Sequence, residues 1–90
     1  VVSVAAAFDG PGRLWVLARI LPDEEAEARL EEGITEGIHR LEVYGPSGAL
    51  LTALPFQEGA DAISFGPEGD LWVLDSEVDA VIRRYRVIWP

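Results

Sequence analysis

The sequence predicts an all-β protein of about seven antiparallel strands, and three observations predict it. A ten-residue unit occurs twice, as Phe8-Asp9-Gly10-Pro11-Gly12-Arg13-Leu14-Trp15-Val16-Leu17 and Phe65-Gly66-Pro67-Glu68-Gly69-Asp70-Leu71-Trp72-Val73-Leu74, 57 positions apart and identical at six of ten positions. Each copy places Gly and Pro between two apolar runs, and those residues supply the backbone angles of a tight hairpin turn. A weaker echo lies between the copies, where Val43-Tyr44-Gly45-Pro46-Ser47-Gly48-Ala49-Leu50-Leu51 has the same aromatic, turn and apolar return.

The elements follow in order. Strands are expected at about 2–8 and 13–20, joined by the first Gly-Pro turn. Leu14-Trp15-Val16-Leu17 is apolar at every position, which is the mark of a strand covered on both faces. The segment Pro22 to Glu36 then breaks the pattern: it holds seven acids and one Arg, −6 of the chain's net −9. Pro22 suits a helix start, and Asp23, Glu24 and Glu25 are favourable at the positive end of a helix dipole. Gly33 suits a stop, and Ala26, Leu30 and Ile34 share one face. The segment is expected to be an inserted short helix or acidic loop. Further strands are expected at about 38–44, 49–54, 61–66, 70–75 and 80–88.

An offset of 57 less the 15 inserted residues leaves 42. Four-stranded propeller blades run about 40–50 residues. Residues 1–56 are therefore expected to form one four-stranded blade with an insertion at 22–36. Residues 57–90 are expected to form a second, incomplete blade of three strands.

Ile38-His39-Arg40-Leu41-Glu42-Val43-Tyr44-Gly45-Pro46-Ser47-Gly48 resembles the Arg-Ile-x-Val-Phe-Asp-x-x-Gly core of NHL-type six-bladed β-propellers. Phe65 to Ser76 resembles that family's Phe-x-x-x-Gly-x-Leu-Tyr-Val-x-Asp-Ser hairpin, and Asp79 to Val87 resembles the third strand again. Gly37 and Asp79 stand where the family usually has an Asn. The resemblance implies a ring of six blades, of which two are here. With Val1 at its start and Pro90 soon after a strand, the chain is expected to be a fragment, the C-terminal end of a propeller. The missing blades, or identical copies as a homotrimer, are the expected partners, since head-to-tail contacts close into rings when the rotation permits.

Composition narrows the function. A net charge of −9 argues against nucleic acid, because phosphate binding needs a basic surface. No apolar run approaches the roughly 18 residues of a membrane span. The absence of Cys removes disulfides and thiolate chemistry. Trp15 and Trp72, equivalent in the repeat, are expected to pack between blades. Asp9, Asp75 and Asp79 follow strands and are weak candidates to ligate a divalent cation. Gluconolactonase-like propellers, which resemble this fold, use carboxylate and Asn ligands around a central metal, and this chain has no Asn. Asp as a turn residue is the simpler role. His39, the one histidine, is expected at the surface or beside a satisfied polar neighbour.

Arg83, Arg84 and Arg86 form the only basic cluster, with Arg84 and Arg86 on one strand face and Arg83 on the other. Pairing with acids such as Glu42 or Asp70 is expected. Asp23, Glu24, Glu25 and Glu27 on the insertion, with Arg84, Arg86 and Trp89, are the candidate interaction residues. No catalytic residue and no cofactor is indicated. The expected function is a non-catalytic scaffold or interaction module; self-assembly of the two-blade unit into a ring and a fragment of a metal-dependent, gluconolactonase-like propeller hydrolase are the alternatives.

Overall fold

A computed structural model describes residues 2–76 and 80–89. Among the described residues seven strands form two antiparallel sheets. The first runs in the order β1 (Val2–Phe8), β2 (Leu14–Arg19), β3 (His39–Tyr44), β4 (Leu50–Phe56). The second runs β5 (Ala62–Phe65), β6 (Leu71–Asp75), β7 (Val81–Tyr85). Each sheet is a meander of neighbouring strands, and the leading strands β1 and β5 lie beside each other. The expected all-β class and the four-plus-three division of strands are therefore present.

Three turns share one geometry. In the β1–β2 turn the Asp9 N–H donates to the Arg13 carbonyl at 3.0 Å and the Gly12 N–H to the Asp9 carbonyl at 3.1 Å. The same pair of bonds recurs at Gly45–Ala49 and Gly48–Gly45, and again at Gly66–Asp70 and Gly69–Gly66. The fourth turn residue is Gly12, Gly48 or Gly69, at φ of +88°, +87° and +85°. That left-handed conformation is open to glycine without steric cost, so the Gly-Pro pattern of the sequence is a demand of the hairpin.

The core lies between the sheets. Trp15 and Leu17 of β2, Leu41 and Val43 of β3 and Phe56 at the end of β4 form its first wall. Ile63 of β5, Leu71 and Val73 of β6 and the preceding Ala60 form the second. Full burial of one such aliphatic side chain contributes about 1.5–3 kcal/mol. Along β2 the residues Trp15, Val16, Leu17 and Ala18 are all buried, as its unbroken apolar run requires.

β6 behaves differently, which corrects the expectation for Trp72. Leu71, Val73 and Asp75 point inward and are buried, while Trp72 and Leu74 are 40% and 41% exposed. Strand side chains alternate between faces, and only the face of the second sheet toward the first is covered. His39 is 1% exposed, on the inward side of the first sheet, which overturns the surface alternative for it and leaves the one beside polar neighbours.

The insertion is a helix, α1 (Asp23–Glu31), with Asp23, Glu24 and Glu25 in its first turn and Gly33 at φ +75° just beyond it. Its expected apolar face is only partly used: Ala26 is buried, Leu30 half-buried and Ile34 42% exposed. The last strand ends at Tyr85 rather than near 88. No helix among the described residues is long and apolar enough to cross a membrane.

Candidate functional site

An apolar groove of about 770 Å³ opens between β4 and the segment 85–89. Its position follows from unequal strand numbers. The first sheet has four strands and the second three, so β4 extends past the edge of β7. Leu51 and Leu54 of β4 line one wall, and Tyr85, Val87 and Ile88 line the other. Trp15, Leu41 and Leu71 of the core form the floor.

Trp89 completes the groove. Its ring lies edge-on to Trp15, centroids 6.1 Å apart, and the Arg13 guanidinium stacks on it at 4.0 Å. Leaving the β7 line after Tyr85 lets the chain lay this indole over Trp15, and a cation over an indole face adds to the contact. Trp89 thus caps the chain's own core. The lining is suited to apolar side chains.

The carboxylates singled out from the sequence are engaged by neighbours. Asp9 accepts hydrogen bonds from the Arg13 backbone N–H at 2.7 Å, Arg13 Nε at 2.6 Å and Trp15 Nε1 at 2.9 Å. Burial alone would push its pKa up; the bonds from Trp15 and Arg13 outweigh burial and hold the carboxyl below its ordinary value. Asp9 therefore ties the first turn to the core tryptophan. Asp75 is 2% exposed and accepts a bond from Arg83 Nη1 at 3.0 Å. Asp79 lies outside the described residues. Among the described residues no three His, Asp or Glu side chains gather into a metal-binding group.

Gly59 sits against Asp75. A Cβ there would fall 2.6 Å from Asp75 Oδ1 and 2.9 Å from its Cγ. The carboxylate is buried and held by Arg83, so it cannot swing aside. Gly59→Ala is expected to lower stability by about 1–3 kcal/mol, read from urea unfolding. Gly66→Ala is expected to lose less. Its Cβ would fall 2.8 Å from Trp72 Nε1, but that indole is 40% exposed and the Arg84 guanidinium lies 5.8 Å from the ring centroid, so it yields more readily than buried Asp75.

The proposed interaction residues do not form one cluster. Asp23, Glu24, Glu25 and Glu27 are exposed on α1, and Asp23 reaches Arg19 at 3.7 Å. Arg84 lies on the outward face of the second sheet, where it meets Asp70 at 3.4 Å, while Arg86, exposed beyond the end of β7, borders the groove. Arg83, on the inward face, also approaches Glu58 at 3.6 Å. Glu42 pairs with Arg40 at 2.7 Å rather than with the basic cluster. Among the described residues no ion pair joins α1 to Arg84 or Arg86.

Sequence reasoning missed the groove, because it follows from a strand-number mismatch between sheets and not from a local motif. It also missed the polar contacts about Asp61 and His39. Asp61 accepts bonds from the Ser76 N–H at 2.6 Å and from the Ser76 hydroxyl. His39 lies within electrostatic reach of Arg19, Asp61 and Asp75.

No family model matches the chain, and neither does any curated protein or solved structure. Fold and site together define an all-β protein of two stacked antiparallel sheets with an apolar groove at the shorter sheet's edge.

Proposed function

We propose that the chain is a non-catalytic β-propeller segment that acts as a scaffold or interaction module. The observation that carries this reading is the arrangement of the two meanders. Each begins with the strand nearest the other sheet, β1 beside β5, and proceeds outward strand by strand. Adjacent blades round a common axis have that relation. The NHL-like resemblance of the repeats supports the same reading, and so does the groove, whose lining suits an apolar segment of a partner. Among the described residues, Asp9 and Asp75, two of the three candidate cation ligands, are each paired with an arginine.

The test is thermal unfolding with and without calcium or zinc, run beside lactone and ester turnover. The melting temperature is expected to stay unchanged and turnover to equal the buffer blank. Metal-dependent stabilisation accompanied by turnover would overturn the proposal in favour of the hydrolase fragment.

A further inference from the structure

The repeat supplies a template for the outward faces of the two sheets. Inside the chain, the Trp15 and Leu17 face of β2 meets the Leu71 and Val73 face of β6, with Phe65 edge-on to Trp15 at 5.2 Å between ring centroids. Trp72 and Leu74 are the repeat equivalents of Trp15 and Leu17, and they look outward from the second sheet, exposed. Phe8, Leu14 and Val16 are the equivalents of Phe65, Leu71 and Val73 on the outward face of the first sheet, where Phe8 is 68% exposed, Leu14 half-buried and Val16 buried. Register extends the match, since Tyr44 stands opposite Leu14 as Tyr85 stands opposite Leu71. The two outward faces therefore carry both halves of an interface that the chain already forms once internally.

We propose that the partner is a second copy of this chain, docked head to tail, the outward face of its first sheet on the outward face of this copy's second sheet. The inference rests on the stacked-blade reading above and names its partner. Phe8 of the second copy meets Trp72 as Phe65 meets Trp15. Charge fits the same orientation. Where the internal interface has Val43 opposite Trp15 and Arg83 opposite Val73, the outward faces have Arg84 opposite Trp72 and Glu42 opposite Val16. Stacking therefore brings Arg84 of one copy toward Glu42 of the next, with opposite sign. Each copy carries −9, so repulsion between copies weakens as salt screens it. The contact is heterologous, and three copies would supply six sheets to a closed ring.

Light scattering on the whole chain at physiological ionic strength tests this. The expected particle is larger than one copy, near three times 9.8 kDa if the ring closes. Trp72→Glu and Phe8→Glu are each expected to give a monomer with native near-ultraviolet dichroism, because both side chains are exposed. Ile82→Glu, on the same outward face and 67% exposed, is a second disruption with the same expected result. Mixing Trp72→Glu with Phe8→Glu is expected to restore a one-to-one dimer, since each variant keeps the face the other has lost. A monomeric wild type at the highest soluble concentration overturns the proposal. So does association that survives either substitution, or a mixture that stays monomeric, as a symmetric Trp72-to-Trp72 contact would. Metal-dependent turnover would instead remove the non-catalytic reading and leave this contact standing.

Discussion

Trp15→Ala is expected to lower the unfolding free energy by about 3–5 kcal/mol, the range for removing a buried large aromatic side chain. The ring is 4% exposed, lies edge-on to Phe65 and Trp89, and donates Nε1–H to Asp9. Truncation would empty the centre of the sheet interface and remove one of the bonds that hold the Asp9 turn. A domain of this length is stabilised by roughly 0.05–0.15 kcal/mol per residue, so such a loss is a large share of the whole. Trp72→Ala, at the equivalent repeat position, is expected to change stability by less than about 1 kcal/mol in the dilute monomer. Urea titration of both variants at low protein concentration is the measurement. Equal losses would show that the outward face is covered, and a near-neutral Trp15→Ala would show that the indole is not a core group.

The contrast between these tryptophans marks what was legible in the sequence. The repeated Phe-x-x-x-Gly-x-Leu-Trp-Val-Leu unit contains the strand, the turn and the return, because each is a local demand: glycine at positive φ, apolar residues where a strand is flanked. The number and order of strands follow from those units. The same ten residues say nothing of how many sheets stack, so they could not separate a covered Trp15 from an exposed Trp72. The end of β7 was hidden for a similar reason. Val87-Ile88 reads as more strand, yet the chain leaves the sheet after Tyr85 and Trp89 meets Trp15, a residue 74 positions earlier in the chain. The groove needed knowledge that β4 has no counterpart in the second sheet. Arg84 beside Asp70 was legible, because strand alternation alone puts both on the face that carries Trp72.

His39 carries the second large prediction: stability is expected to fall as pH is lowered from neutral through the ordinary histidine value of 6.5. Burial is the main cause of its lowered pKa, since the charged ring loses solvation, and the Arg19 charge acts in the same direction. Asp61 and Asp75 oppose them without reversing the direction. The folded chain therefore holds the ring neutral where the unfolded chain protonates it. Between the folded value and 6.5 the unfolded state binds more protons, so unfolding becomes easier as pH drops. One proton sets the limit, about 1.4 kcal/mol per pH unit. Urea midpoints for the wild type and His39→Phe, taken stepwise from pH 8 to pH 5, read the effect. The wild type is expected to lose stability across that range, and the variant, whatever its absolute stability, to follow a shallower course because its buried ring does not titrate. Parallel curves would sink the assignment, and a wild type that gains stability on acidification would mean that Asp61 and Asp75 dominate the site.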